Sequence, residues 1–522
     1  MKLNYKRTIC VGFAFFLICA FWQAYDTTIP LILTNKFGMS QALSGAIMAL
    51  DNVLALFMLP LFGALSDKSS SRWGRRTPFI VVGTLIAAVA FVLLTTADNA
   101  QLKNLGGAAR IDDPMALSAI YEEEGTKTLL TPDGEKFVLA EKFSEEEFTA
   151  IRSQTVQDGK TVTDPDYTNY VVPARQAYAR EVTQHRAGPL IAFVVLLLVV
   201  LVSMATFRSP AVALMPDVTM KPLRSKANAV INLMGSFGGI LVLALGIVFA
   251  TSAVRNSLMS YTGFFGVIAL IMVVALAVFL LTVKENRFAE EMRADSRKFG
   301  VDEAEEEEAE AEARGEKRRL SPEEKRSLLF ILVSIVLWFF GYNAVTSKYS
   351  VYASNILHKD YNLTLIIAQA AAIISYLPVG MVASKVGRKK TILAGVLMLA
   401  VAFGAAAFLR DTSPTLLMNV LFALAGIGWA TINVNSFTMV VEMASGADVG
   451  KYTGFYYTAS MAAQVATPMV SGFLMDKMGM TVLFPYAAVF VVLAFITMLA
   501  VRHGDSRPDA KKGLEALDND EP

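Results

Sequence analysis

Twelve apolar stretches, each long enough to cross a bilayer as a helix, constrain this chain more than any other feature. A spanning helix needs about 20 mostly apolar residues, because a backbone in lipid can hydrogen-bond only to itself. Segments 9–34, 42–66, 78–97, 188–212, 227–251, 260–283, 327–347, 363–384, 391–409, 414–440, 452–476 and 480–501 fit. Only 18% of the residues are charged and 54% are hydrophobic. A water-soluble chain carries about 25% charge, and here the charge collects in connections and tails. The fold expected is an all-α membrane protein of about 12 transmembrane helices.

Lysine and arginine set the orientation. With the N-terminus in the cytoplasm, the short inner segments hold fifteen of them and the short outer loops six. That bias predicts both termini in the cytoplasm of a cell (inner or plasma) membrane. Lys2, Lys6 and Arg7 precede an apolar run to about Leu33, which is too long for a cleaved signal core and reads as a retained first helix. Both cysteines, Cys10 and Cys19, lie in that helix, so no disulfide framework is expected. A net charge of +1 gives no attraction to nucleic acid. There is no phosphate-loop motif, no His-Glu-x-x-His and no Cys/His cluster, so the sequence offers no cofactor, no metal and no catalytic constellation. Membrane lipid is the one partner that composition itself implies.

Two long hydrophilic stretches interrupt the pattern. Residues 98–187 fall outside and hold 16 acidic against 10 basic residues. Thr131-Pro132-Asp133-Gly134 reads as a turn, and Ser144 followed by Glu147 as a capping box. A small extracellular cap is expected, with a loose insertion as the alternative. Residues 284–326 fall inside, acidic from Glu303 to Glu312 and basic at Lys317, Arg318 and Arg319; they read as a solvated linker. The predicted organisation is an N-terminal six-helix half, 1–283, carrying the 98–187 insertion. The 284–326 linker, a C-terminal six-helix half, 327–501, and a cytoplasmic tail, 502–522, follow.

The halves repeat. Gly63-Ala-Leu-Ser-Asp67-Lys68 and then Gly74-Arg75-Arg76 follow the second segment; Gly380-Met-Val-Ala-Ser384-Lys385 and then Gly387-Arg388-Lys389 follow the eighth, 317 residues on. Asp217 and Lys226 are nine apart, as are Glu442 and Lys451, at an offset of 225. The offset shrinks by 92, about the size of the insertion, so one duplicated unit with one insertion explains the spacing. At these residues the chain resembles the major facilitator superfamily. Ser71-Arg72-Trp73-Gly74-Arg75-Arg76-Thr77-Pro78-Phe79 is similar to the form in sucrose- and maltose-type proton symporters and glycoside–cation symporters, as is the region from Pro210 through Asp217 to Ala227-Asn228-Ala229. There are departures. Val212 stands where the sucrose group has an arginine. Ala55 and Leu59 stand where the melibiose group has acids, which argues against a sodium site of that type.

Asp67 sits at the C-terminal end of a helix, where a negative charge opposes the dipole and needs a partner. Arg75, Arg76 and the start of the eleventh helix are the candidates. The resemblance implies a gating latch from Asp67, Arg75, Arg76, Asp217 and Lys226, echoed by Arg388, Glu442 and Lys451. Charges inside a membrane are costly and usually functional. Asp26 and Asp51 are the candidates for proton coupling, since a carboxyl that alternates between dry and wet settings takes up and releases a proton. Arg208 is a candidate for gating, or a side chain that snorkels to the interface. Trp22, Trp338 and Trp429 fall near mid-helix, accompanied at helical spacing by Gln23, Tyr342 and Asn433, while the fifth segment adds Asn232 and the eleventh Gln464. Aromatic walls with amides suit a sugar, whose ring stacks and whose hydroxyls hydrogen-bond; ordinary helix packing by polar residues is the alternative. The expected function is secondary active transport by alternating access, with proton-coupled uptake of a sugar or glycoside. An exporter of drugs or metabolites driven by protons and a non-transporting membrane sensor are the rivals.

Overall fold

The computed structural model describes residues 3–157, 160–220, 223–299, 321–441, 443 and 449–503. Apolar composition drives nearly all of them into helices. The first group comprises α1 (Tyr5–Asn35), α2 (Gln41–Met48), α3 (Leu50–Lys68) and α4 (Thr77–Leu105). After the insertion come α9 (Gly188–Asp217), α10 (Arg224–Val248), α11 (Thr262–Thr282) and a charged surface helix, α12 (Glu285–Lys298). The second group comprises α13 (Pro322–Tyr352), α14 (Tyr361–Val386), α15 (Arg388–Ala406), α16 (Thr415–Val441), α17 (Val449–Met478) and α18 (Leu483–Leu499). Among the described residues ten spans meet the length and hydropathy of a membrane crossing on their own, with α2 and α3 counted as one. The long helices α14 and α17 bring the number to twelve. The expected 42–66 segment is divided at Ala49, and the expected 78–97 segment runs on to Leu105.

Two cores result. Phe21, Phe91, Phe193, Phe207, Phe265 and Phe279 lie in the first, built from α1, α4, α9, α10 and α11. Trp338, Tyr349, Tyr352, Phe403, Phe422 and Phe484 lie in the second, built from α13 to α18. In lipid there is no hydrophobic drive between helices, so close approach matters; Gly395 of α15 meets Gly428 of α16 backbone to backbone. Among the described residues four helix pairs join the two bundles: α1 with α13, α2 and α3 each with α17, and α10 with α14.

The insertion has its own core of Leu117, Ile120, Phe137, Leu139, Phe148, Tyr167 and Val171. It contains α5 (Pro114–Glu124), β1 (Thr128–Leu130), β2 (Lys136–Val138), α6 (Leu139–Lys142), α7 (Glu145–Ala150), β3 (Gln154–Gln157), β4 (Lys160–Thr163) and α8 (Val172–His185). β1 and β2 form an antiparallel hairpin with Leu129 opposite Phe137. Thr131 N–H donates to the Glu135 carbonyl at 2.8 Å, which closes the turn read from the sequence. Ser144 and Glu147 cap α7 reciprocally. The backbone N–H and hydroxyl of Ser144 hold the Glu147 carboxyl below its usual range. The cap sits at one end of the bundles. The start of α1 and the end of α18 lie at the other, called here the termini end.

Candidate functional site

At the termini end the chain gathers charge around one guanidinium. Asp67 is in the last turn of α3, and Gly74, at φ 117°, lets the loop turn sharply into α4. Buried Arg76 donates through Nη2 to Asp67 at 2.5 Å, through Nε to Asp217 of α9 at 2.8 Å, and through Nη1 to Ser66 Oγ at 2.5 Å. Glu285, the first residue of α12, is also buried. Its carboxylate accepts from the backbone N–H groups of Arg75 (2.7 Å), Arg76 (2.9 Å) and Thr77 (2.8 Å), and from the Thr77 hydroxyl (2.7 Å). An anion there satisfies donors that a helix N-terminus leaves open. Asp67, Arg76 and Asp217 are thus brought together, and Arg75 contributes its backbone. Lys226 lies half-buried in the first turn of α10, and Arg388 is buried at the start of α15. Lys451 is on the first turn of α17, and Glu442 lies outside the described residues. Sequence reasoning missed Glu285; an acid immediately following an apolar helix was its only signal.

In the middle of the first bundle a second group assembles on α1, α3 and α9. The Arg208 guanidinium lies 5.8 Å from the centre of the Trp22 ring. Tyr25 packs edge-on to Trp22 at 5.3 Å and donates to the Met48 carbonyl. Asp51 accepts from the Asn52 side chain at 2.8 Å. Asp26 and Asp51 are close enough to interact through space, and Arg208 lies within reach of Asp51. Asp26 is exposed, although Tyr25 and Thr27 beside it are buried. Because α1 is packed against α2, α9, α10, α11 and α13, that exposure opens onto space between helices.

The second bundle supplies an aromatic surface. Tyr342 of α13 stacks on Trp429 of α16 with ring centres 3.6 Å apart and planes 1° off parallel, while Phe339 meets Trp429 edge-on at 5.2 Å. Trp338, read as part of the wall, is fully buried in the second core in this structure. A helix apolar on all sides gives no periodic clue to which face is the wall, and here Phe339 and Tyr342 take that face. Gln23 of α1 accepts from Gln369 of α14 at 2.5 Å, joining the bundles at mid-depth beside Gly239. Gln369 was not foreseen; a lone amide in an apolar helix was its signal. The Trp22 indole nitrogen, the Asn232 amide nitrogen and the Asn433 carbonyl oxygen are buried with no hydrogen-bond partner among the described residues. Gln464 is half-buried on α17.

The cap end is closed by contacts between the bundles. Asp476 of α17 accepts from the backbone N–H groups of Gln41 (2.7 Å) and Ala42 (2.8 Å) in the first turn of α2. Fully buried Lys348 of α13 donates to the Gln41 carbonyl at 2.6 Å. Gly45 packs directly on the Pro468 carbonyl, and Gly472 on that of Gln41. Tyr361 of α14 donates to Thr251 at 2.8 Å. Beside this seam, within the first bundle, Lys36 and Asp98 form a fully buried pair at 2.6 Å.

The comparisons with known proteins agree with this geometry. The model of the Major Facilitator Superfamily matches residues 184–374 and 359–518, more than half of the chain, and that of the MFS/sugar transport protein family matches residues 10–104. A sucrose transport protein of Arabidopsis thaliana is 37% identical over 65 residues, and a symporter of Synechocystis is 35% identical over 65. Each match spans 12% of this chain and 11% of the relative's own length. Among solved structures, the inward-open xylose transporter XylE from E. coli has a TM-score of 0.60 at 15% identity, covering 98% of this chain and 99% of that one. The nucleoside transporter NupG has a TM-score of 0.52 at 14% identity, covering 96% and 100%. Such distant likeness speaks to the fold.

Proposed function

The chain belongs to the major facilitator superfamily, and we propose that it is a proton-coupled symporter that takes up a sugar or glycoside by alternating access. The family and fold are those of transporters rather than enzymes. The observation that carries the reading is the pairing of an aromatic surface with unsatisfied polar groups at the centre of the bundles. A buried polar group without a partner costs about 1–3 kcal/mol. The Trp22, Asn232 and Asn433 groups are in that condition, and Asn433 lies one helical turn from Trp429 of the stacked Tyr342–Trp429 pair. A solute with many hydroxyls and an apolar ring face satisfies the first set and stacks on the second. Trp22, Gln23, Asn232, Tyr342, Trp429, Asn433 and Gln464 bind it in this reading.

Asp26 and Asp51 carry the proton. Asp26 lies close enough to Asp51 for their charges to interact, and Arg208 lies within reach of Asp51, so in this reading the two carboxyls share the proton. The cap end faces outward and both termini lie in the cytoplasm, as the fifteen-to-six distribution of Lys and Arg favours. The contacts across the seam at Gln41, Asp476 and Lys348 then close the outer gate. The Asp67–Arg76–Asp217 group shapes the inner gate.

The test is uptake of a panel of labelled disaccharides and glycosides into proteoliposomes, with and without an imposed proton gradient. Accumulation of at least one above equilibrium, abolished by collapsing the gradient, is expected. Proton release on adding hydrophobic cations, with no saccharide accumulated, would replace this reading with export.

A further inference from the structure

The cap is fastened to one bundle and reaches across to the other. Its attachment to the first is extensive. Both ends continue into membrane helices, α4 and α9. Gln176 of α8 donates to Asn35 at 2.9 Å, Arg180 to the Gly38 carbonyl at 3.0 Å, and Gln101 of α4 to Thr183 at 2.9 Å. Its reach to the second bundle is narrow. The tip of the β1–β2 hairpin lies against the junction of α17 and α18, where Met480 N–H donates to the Pro132 carbonyl at 2.6 Å. Gly134 and Gly479, at φ 91° and 89°, let the two backbones touch. A Cβ on Gly134 would lie 2.8 Å from the Met478 carbonyl oxygen, and one on Gly479 would strike the backbone of Asp133. The cap segment Tyr167–Val171 also approaches Ala353–Leu357 of the second bundle. Beneath the hairpin, a cavity of about 520 Å³ separates it from the first turn of α2 and from Asp476. The tip is therefore a bridge over the gate, not packing that fills it.

From this we infer that the hairpin tip, residues 131–135, is a clasp that holds the cap-end gate shut and must release Met480 each time that gate opens. The inference rests on the alternating-access reading. The cap travels with the first bundle, so separation of α2 from α17 carries the tip away from Gly479 and Met480. The turn is stiff: Gly134 N–H donates to the Thr131 carbonyl at 2.9 Å and Glu135 N–H to the Thr131 hydroxyl at 3.0 Å. A stiff tip cannot stay behind while its cap moves. Release is feasible because water can take over the Met480 N–H and the Pro132 carbonyl.

Two arms test it, both with Cys10→Ser and Cys19→Ser. In the first, Ser44→Cys reports the gate, since Ser44 is on the buried face of α2. Its labelling by an impermeant maleimide is compared between the parent and a variant in which residues 131–135 are replaced by an Asn-Gly turn, which keeps the strand pairing. The rate should rise about threefold to tenfold, the shift that loss of one backbone hydrogen bond and its packing gives. An unchanged rate overturns the clasp. In the second, Asp133→Cys and Met480→Cys are oxidised to a disulfide. Transport should stop and return on reduction; full transport by completely cross-linked protein overturns the clasp. If labelling responds as expected while no variant and no parent moves any saccharide, the clasp stands and the transport reading falls.

Discussion

The two ends of the molecule are held in different ways. At the cap end the bundles meet through backbone groups: Asp476 on two N–H groups, Lys348 on a carbonyl, Gly45 and Gly472 on carbonyls, and Met480 on Pro132. At the termini end Arg76 collects Asp67 and Asp217 inside one bundle, and Glu285 pins the loop behind it. The contacts of the first kind must part for the bundles to separate, and water can take over each donor and acceptor as they do. Those of the second kind need not part at all. The seal is thus built from exchangeable contacts, while the charge cluster fixes how α3, α4 and α9 meet at the termini end.

The largest effects are expected where a charge or ring is buried inside one bundle. Asp98→Asn leaves the Lys36 ammonium buried and unpaired, at a cost of about 3–5 kcal/mol. Trp338→Ala opens a cavity in the second core, at a similar cost of about 3–5 kcal/mol. Both should lower the melting temperature in detergent sharply. By contrast, Trp429→Ala should lower the melting temperature much less and weaken solute binding several-fold, the loss of about 1 kcal/mol of aromatic contact. If Trp338→Ala melts like wild type, the division of the two tryptophans between core and wall is wrong.

That division shows how far the sequence reaches. The twelve crossings are legible because a bilayer imposes length and hydropathy on each. The 131–134 turn and the Ser144 cap are legible because their chemistry is local. The Asp67–Arg76 contact follows from a charge at a helix end that needs a partner nearby. Glu285 is 210 residues from Arg75, and no local rule connects them. Gln369 meets Gln23 only because two helices cross there. The bridging role of the hairpin depends on where a loop between α17 and α18 ends up, which periodicity does not encode.

A middle-sized effect should separate the parts of the charge cluster. Glu285→Gln removes an anion that accepts four hydrogen bonds, and bonds to a charged group contribute about 1.5–3 kcal/mol. Thermal unfolding should register it without loss of solute affinity. The smallest effect is expected at Asp67, whose side chain is 59% exposed against 22% for Asp217. Exposed ion pairs contribute about 0–1 kcal/mol, so Asp67→Asn should barely change melting and Asp217→Asn should change it more. Under the gating proposal Asp67→Asn should still slow transport and raise cysteine labelling at the termini end, because it loosens the corner that Arg76 holds between α3 and α9. Normal transport with unchanged labelling would remove the cluster from gating altogether.

The most direct measurement concerns Asp51. Asp51→Asn removes the titrating group and keeps its shape and most of its hydrogen-bonding capacity, including contact with Asn52. Two assays on one proteoliposome preparation suffice: uptake driven by a pH gradient, and exchange of solute at equilibrium. Gradient-driven accumulation should be lost while exchange persists, because the alternation of the gates needs no proton once solute is bound. A variant that still concentrates solute on a proton gradient would contradict coupling through Asp51.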